Sequence, residues 1–146
     1  MQTPFLPLLR ELALCYQAFE ASTTRHIRDI GLTAPQFDII ATLGNTSGMT
    51  PKELGEKTLI TKGTLTGIID RLEIKKLVSR CAHAHDGRCQ TVQLTASGVA
   101  LFNTVFPAHM AYLRKIFSGF KARDYATIEA ALVQLRGAFS PGSTAT

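Results

Sequence analysis

Apolar residues recur every three or four positions along most of the chain, a spacing that predicts amphipathic helices. We expect a first helix from about Leu6 to Ile30, ended by Gly31 in a left-handed conformation. The stripe of this helix comprises Leu8, Leu12, Tyr16, Phe19, Ile27 and Ile30. The chain therefore starts with a long helix that has one apolar side.

Two segments carry the capping-box pattern, in which a threonine and a residue three places later satisfy each other's backbone amides. Thr33 with Gln36 predicts the start of a second helix, and Thr50 with Glu53 predicts the start of a short third helix. The free amides at the start of the third helix, with Thr50 and Lys52, are expected to hold a phosphate. Such contacts would position a nucleic acid without reading its bases.

A fourth helix is expected three or four residues after the third, with Thr61 as its N-cap. Its apolar side comprises Leu65, Ile68, Ile69 and Leu72, and the residues expected to face outward are Lys62, Gly63, Thr64, Thr66, Gly67 and Arg71. Two helices joined by so short a turn suggest a helix-turn-helix. The major groove of B-DNA admits one helix, and this outward side is short and polar, with no bulky apolar group that requires burial.

From Val78 the pattern changes to alternation, which predicts two short strands with Asp86 and Gly87 as the turn. Such a hairpin can carry His83, His85 and Arg88 into the neighbouring minor groove, with Asp86 orienting Arg88. The alternative is a hairpin salt bridge with no function, worth about 0 to 1 kcal/mol.

The remaining pattern predicts a long helix capped by Thr95 and kinked at Pro107, then a last helix through Ile128, Leu132 and Leu135. The tail from Ser140 to Thr146 is rich in Pro, Gly, Ser and Thr, and we expect it to be flexible. The fold class is therefore mainly α with a small β wing.

The composition fits one domain of 146 residues that binds a polyanion. Apolar residues make up 45% of the chain, and 16 basic against 11 acidic residues leave a net charge of +5. No apolar run approaches the roughly 18 residues of a membrane span, and no signal peptide is apparent, so we expect a cytoplasmic protein without membrane contact.

The order of these elements resembles the MarR family of winged-helix transcriptional regulators over nearly the whole chain. The motifs that carry the resemblance are Gly31-Leu32-Thr33 with Gln36-Phe37, Thr50 with Glu53-Leu54, Thr64 to Leu72-Glu73, and Asp86-Gly87-Arg88 followed by Val92, Leu94-Thr95 and Gly98. The resemblance implies a homodimer, joined through about 5–30 and 96–139, whose parts at about 33–95 bind a pseudo-palindromic operator. It also implies a repressor that a small molecule or an oxidant releases from DNA.

Two positions depart from the family pattern. Leu59 and Lys76 stand where the family often has glycine, in the turn before the recognition helix and just after that helix. Lys76 is therefore expected to adopt a left-handed conformation, which costs a non-glycine residue about 1 kcal/mol.

A further hypothesis places a small-molecule site between the first two helices and the long fifth helix. Tyr16, His26 and Phe37 are its candidates, with Arg25 and Arg28 to attract a carboxylate. The alternative is that the aromatic residues belong to the core and the arginines are solvated charges.

The cysteines and histidines allow two further hypotheses. Cys15 can be a redox sensor, although a small buried hydrophobe is the more common role. Cys81, His83, His85 and Cys89 can suggest zinc or a disulfide, but alternate residues of a flat strand lie some 6 to 7 Å apart and do not converge on a metal. We therefore predict no metal and no cofactor.

The sequence favours a sequence-specific DNA-binding regulator. No GxSxG, HExxH, GxGxxG or Walker pattern is present, so an enzyme is the weaker alternative and no catalytic residue is predicted. A winged-helix module that binds protein instead of DNA is the other alternative. The steep salt dependence of phosphate binding separates these classes.

Overall fold

The computed structural model describes residues 2–83 and 86–142, and at 83 and 86–89 it describes the backbone only. Six helices and two strands follow one another within this part of the chain. They are α1 (Phe5–Asp29), α2 (Ala34–Leu43), α3 (Pro51–Lys57), α4 (Lys62–Ile74), β1 (Val78–His83), β2 (Asp86–Leu94), α5 (Ala96–Ile116) and α6 (Ala122–Ala138). The predicted mainly α fold with a β wing is confirmed.

The helices begin where local hydrogen bonds replace the missing intrahelical partners. Both predicted capping boxes form, with Thr33 Oγ1 accepting from the Gln36 amide at 3.3 Å and Thr50 Oγ1 accepting from the Glu53 amide at 3.1 Å. After α1, Gly31 adopts φ 85°, and this left-handed residue lets the Leu32 amide donate to the Ile27 carbonyl at 3.2 Å. The breaks between α1, α2 and α3 are therefore fixed locally.

The chain groups into two compact units, Met1–Met110 and Ala111–Thr146. The first unit contains one core, built by the apolar sides of α2, α3 and α4 with the base of the hairpin and the start of α5. Its buried residues include Phe37, Ile39, Ile40, Leu43, Leu54, Leu65, Ile68, Ile69, Leu72, Val78, Val92 and Phe102. This core holds α4 with its other side in solvent.

The two strands form an antiparallel sheet in which Val78 pairs with Leu94 and Arg80 pairs with Val92. Met49 forms an additional bridge to Val92, with backbone bonds of 2.9 and 2.7 Å. Gly98 of α5 packs against the Leu77 carbonyl so closely that a Cβ would not fit. The base of the hairpin is therefore attached both to the helix-turn-helix and to α5.

The N-terminal part of α1 leaves its apolar side in solvent. The side chains at helical spacing on this side, here called the α1 apolar stripe, are Phe5, Leu8, Leu9, Leu12, Tyr16 and Phe19, all of them exposed. Ile27 is the one buried residue of α1. The predicted helical periodicity is confirmed, but within this chain the stripe is not covered.

The second unit contains the end of α5 and α6. Phe117, Phe120 and Tyr125 form an aromatic cluster, with ring centroids 5.2 to 6.0 Å apart. Apolar side chains of α6 remain exposed, among them Ile128, Leu132 and Val133. No helix in the described part of the chain has the length and apolar character to cross a membrane.

Four further local predictions have different outcomes, and two of them are confirmed. Thr95 caps α5, since its Oγ1 accepts from the Gly98 amide at 3.0 Å, and Lys76 adopts the expected left-handed conformation with φ 60°. The kink at Pro107 stays a prediction, because Pro107 lies inside one continuous α5. Of the predicted tail, residues 143–146 lie outside the described residues.

Candidate nucleic-acid interface

The side of α4 that points away from the core is polar and solvent-exposed. We call this surface the α4 outward face, and its members Lys62, Gly63, Thr64, Thr66, Gly67 and Arg71 are all exposed. On the opposite side, Leu65, Ile68, Ile69 and Leu72 are buried. The helix thus presents small hydroxyl and glycine positions between two basic side chains.

The start of α4 is not capped as predicted. Thr61 occupies the N-cap position, but its side chain makes no capping bond. Its Oγ1 instead lies 3.1 Å from Oγ1 of Thr64, and its carbonyl accepts from the amides of Thr64 and Leu65 at 3.0 Å. The prediction of a side-chain cap was wrong because a second hydroxyl one turn later competes for the threonine.

Gly63 and Gly67 have open space where a side chain would stand, with no other atom within 4 Å of an added Cβ. Packing therefore does not explain either glycine. A glycine inside a helix costs about 0.5 to 1 kcal/mol relative to alanine. At both positions the α4 outward face has no side chain. We call this part of the face its low surface, because another molecule can approach the backbone there.

Two bulky apolar residues flank this surface. Leu59, in the turn before α4, is 95% exposed, and Ile74, the last residue of α4, is 80% exposed. The expectation that the outward side carries no bulky apolar group is therefore wrong at Ile74. The low surface is limited to the first three turns of the helix.

An acidic side chain of α2 holds the turn between α3 and α4. The Asp38 carboxylate accepts from the Leu59 amide at 3.4 Å. Burial raises the pKa of Asp38 above its ordinary value of 3.8, and the bond from Leu59 offsets part of this rise. The sequence analysis missed this contact, since nothing in the local pattern links residues 21 positions apart.

The start of α3 is a less open phosphate site than the sequence predicted. Lys52 is exposed and Thr50 is half-buried. The Glu53 carboxylate accepts from the Thr50 amide at 3.3 Å, so a negative charge already lies beside the first turn. A phosphate contact by Thr50 and Lys52 stays a prediction.

The hairpin differs from prediction at its tip. Asp86 and Gly87 belong to β2, with His83 paired to Asp86, so they are not the turn residues and the prediction was wrong there. The cause is that strand pairing continues two residues closer to the tip than the Asp-Gly signal suggests. His85 lies outside the described residues, as do the side chains of His83, Asp86 and Arg88.

Arg80 of β1 joins the hairpin to α4. Its Nη2 donates to Asp70 Oδ1 at 2.6 Å and its Nη1 donates to Glu73 Oε1 at 3.0 Å. These are the two ion pairs that the described residues contain. Sequence reasoning missed them, although the spacing of Asp70 and Glu73 places both carboxylates on one side of α4.

The predicted small-molecule residues separate into two groups. His26 and Phe37 meet at His109 of α5, where Nδ1 of His26 lies 3.0 Å from Nδ1 of His109 and the Phe37 ring contacts His109 edge-on at 4.8 Å between centroids. His109 was not predicted and is 3% exposed. Tyr16 and Arg25 are exposed on α1, Tyr16 within the α1 apolar stripe.

Burial lowers the pKa of His109 below 6.5, and the positive form of His26 lowers it further. With both rings neutral, one Nδ1–H donates to the other Nδ1. The contact therefore joins α1 to α5, and protonation of His109 at this contact is unfavourable.

The cysteine hypotheses receive no structural support. Cys15 is exposed, so the expected role as a buried hydrophobe is wrong within this chain, and Cys81 is free and exposed with Gln93 Nε2 3.2 Å from its Sγ. No group of three metal-binding side chains occurs among the described residues, which exclude the side chains of His83, His85 and Cys89.

A helix-turn-helix with an exposed polar second helix, followed by a hairpin tied to that helix, defines a winged-helix DNA-binding protein. Comparison with known proteins agrees with this class. The MarR family model matches residues 30–88. The regulator MhqR of Bacillus subtilis is 30% identical over 113 residues, which are 77% of this chain and 78% of the relative. The chain belongs to the MarR family and is a DNA-binding transcriptional regulator.

Two solved structures extend the likeness over nearly the whole fold. A mutant MarR of Escherichia coli complexed with operator DNA is 25% identical, with a TM-score of 0.78 over 92% of this chain and 99% of that chain. BpsR of Bordetella bronchiseptica, whose DNA binding is regulated by 6-hydroxynicotinic acid, is 25% identical, with a TM-score of 0.79 over 93% and 97%.

Proposed function

We propose that this regulator acts as a homodimer on a pseudo-palindromic operator, with the α4 outward face in the major groove. The observation that carries the proposal is the exposure of that face, which is small, polar and flanked by positive charge. A major groove about 12 Å wide accepts one helix, and the open space at Gly63 and Gly67 allows the backbone to approach the bases.

Each candidate residue has an expected role in that geometry. Lys62 and Arg71 neutralise phosphates on either side of the groove. Thr64 and Thr66 offer hydroxyls and methyl groups to base edges. Thr61 shares a hydrogen bond with Thr64 and holds its hydroxyl in place. Thr50 and Lys52 contact the backbone from α3.

The wing is proposed to enter the adjacent minor groove. The strands carry His83 and Arg88 toward the tip of the hairpin, and His85 lies between the strands in sequence. An arginine in a narrow minor groove meets the strongest negative potential of the duplex. Asp86, two residues earlier, is expected to orient it.

The homodimer is supported by the apolar surface that a single chain leaves uncovered. The α1 apolar stripe and the exposed apolar residues of α6 each belong to a helix that the dimer would cover. A two-fold dimer presents two recognition helices, which fits an operator with two half-sites. We expect repression, because a dimer bound at a promoter blocks polymerase, and a cytoplasmic location, where the chromosome lies.

A small aromatic acid is the proposed releasing signal. BpsR responds to 6-hydroxynicotinic acid, and His26, Phe37 and His109 bring ring and nitrogen groups together between α1, α2 and α5. The proposal is tested by comparing the thermal melting temperature of the chain with and without 6-hydroxynicotinic acid, and by measuring whether the acid releases the operator. An oxidant acting at Cys15 or Cys81 is the alternative outcome, and peroxide treatment distinguishes it.

The binding site itself is tested by Arg88→Ala and by Thr66→Gln. Arg88→Ala should lower operator affinity about tenfold and reduce the salt dependence, since each neutralised phosphate contributes about 0.9 to its slope. Thr66→Gln should change which bases are preferred. Binding that does not respond to salt, or unchanged affinity and preference in both variants, would favour a protein-interaction module instead.

A further inference from the structure

We infer that Arg80 is a positioning residue for DNA binding, which fixes the wing against the recognition helix so that both elements fit one DNA site together. The inference rests on the proposed function. It concerns an arginine that belongs to neither of the surfaces proposed to touch DNA.

The contact spans two elements that the chain connects only through a short link. Asp70 and Glu73 lie three residues apart on α4, and Arg80 lies on β1, with Lys75, Lys76 and Leu77 between the elements. Two nitrogens of one guanidinium bind two separate carboxylates, at 2.6 and 3.0 Å. The planar fork of arginine suits this double contact, whereas a lysine ammonium concentrates its charge at one point.

Burial also separates Arg80 from an ordinary surface arginine. Its side chain is 20% exposed, against 54% for Asp70 and 44% for Glu73. An arginine that served to contact phosphate would have its guanidinium in solvent. Here the guanidinium is directed at α4, and its charge is paired with the two carboxylates.

The location of the contact determines what it controls. The base of the hairpin is already attached, through Met49 to Val92 and through the Lys76 carbonyl to Thr95 Oγ1 at 2.6 Å. A two-stranded hairpin has little stability of its own, so its direction beyond the base depends on contacts with other elements. Arg80 pairs with Val92 in the sheet, so its contact with α4 anchors β1 at the level where Met49 anchors β2.

The contact also adjoins the surface proposed to read DNA. Asp70 follows Thr66 by four residues, so both lie on one side of α4. A change in the distance between Arg80 and α4 therefore changes the distance between the wing tip and the α4 outward face. Two elements that enter adjacent grooves tolerate little error in this distance.

The test is a double-mutant cycle on the full chain with its selected operator. Arg80→Gln should weaken operator binding about fivefold, and Arg88→Ala should cost about tenfold in the wild type but only about twofold in the Arg80→Gln background. Arg80→Lys keeps the charge and should still lose about threefold, because one ammonium does not replace the fork. Arg10→Gln, which removes an exposed charge on α1, is the matched control and should leave the cost of Arg88→Ala unchanged.

A second variant tests the same contact from the helix side. Asp70→Asn combined with Glu73→Gln removes both carboxylates but keeps Arg80. This variant replaces Arg80→Gln in the experiment if Arg80→Gln does not fold. It should reduce the preference for operator over random DNA about fivefold, whereas an Arg80 freed to bind phosphate would raise affinity for both DNAs equally.

The outcomes are distinguishable. An equal cost of Arg88→Ala in both backgrounds, a zero cost in both, or full retention of affinity by Arg80→Lys overturns the role of Arg80. In each of these cases, the proposed function still holds if the wild type binds its operator specifically. Absence of specific binding by the wild type overturns the proposed function and the inference with it.

Discussion

The α4 outward face and the α1 apolar stripe are both exposed in the single chain, yet their chemistry is opposite. The first carries glycines, hydroxyls and positive charges, which water solvates well. The second carries leucines, phenylalanines and a tyrosine, whose exposure costs about 25 cal/mol for each Å² that could be buried. Exposure alone therefore does not identify a site, and the kind of side chain exposed indicates which partner fits.

This contrast assigns a different partner to each surface. A low polar face flanked by basic residues suits a hydrated polyanion, and a continuous apolar stripe suits a second apolar surface. On the proposed function, α4 therefore binds DNA and α1 binds another copy of the chain. Charge placed on either surface should disrupt one function and leave the other measurable.

The largest effect is expected for Gly67→Glu. The added side chain meets no protein atom, so the fold should remain, but a carboxylate would stand in the DNA groove. Operator affinity should fall about 1,000-fold, since each copy of a dimer adds one unfavourable contact of about 2 kcal/mol. Fluorescence anisotropy with labelled operator measures the loss, and circular dichroism verifies the fold.

Gly67→Ala is the matched control at the same position. Alanine favours the helix, so the free energy of unfolding should rise by about 0.5 to 1 kcal/mol. Operator affinity should nevertheless fall slightly, because the added methyl group occupies the low surface. A variant that is more stable and binds equally well would argue against close approach at this glycine.

A smaller effect is expected for Leu12→Glu in the α1 apolar stripe. The charge should raise the dimer dissociation constant about 30-fold, within the range measured for interface residues at the centre of a contact. Analytical ultracentrifugation across a concentration series measures the change. Gln17→Glu adds the same charge on another side of α1, and an equal effect of both variants would exclude the stripe as the dimer surface.

The smallest effect concerns pH and His109. The folded chain binds a proton at His109 less readily than the unfolded chain, because burial and His26 lower its pKa below 6.5. Its contribution to stability is therefore present above pH 6.5 and is lost as pH falls from that value toward the folded pKa. Urea denaturation at pH 7.5, 6.5 and 5.5 should show this decline.

His109→Asn provides the comparison for that decline. The amide does not titrate, so the variant should lose less stability than the wild type over the same pH range. The difference between the two curves therefore isolates the contribution of His109. Parallel curves would contradict the assigned cause of the pH dependence.

Sequence-based prediction succeeded where structure depends on neighbouring residues. The capping boxes at Thr33 and Thr50, the left-handed Gly31 and Lys76, and the cap at Thr95 all formed as expected. Each depends on bonds that close within a few residues. The order of elements followed from these local signals and from periodicity.

Prediction failed where two structures compete or where distant residues meet. Thr61 has the right residue type for a cap, but Thr64 engages its hydroxyl. The Asp86-Gly87 signal was overridden by two further residues of strand pairing. Arg80 with α4, and His26 with His109, are separated by 7 to 83 residues and depend on tertiary packing.

Periodicity also left the partner of each helix undetermined. The stripes of α1 and α4 have the same spacing, but the one on α4 is buried in the core and the one on α1 is exposed. A pattern records which side of a helix is apolar. It does not record whether the chain itself or another molecule covers that side.

Selection of bound duplexes from random DNA by the full chain tests the central claim most directly. We expect an enriched motif with two-fold symmetry and half-site centres about 10 base pairs apart, bound less tightly as salt increases. An enriched motif without symmetry, or no enrichment at any salt concentration, would contradict the account of two α4 outward faces that read one operator.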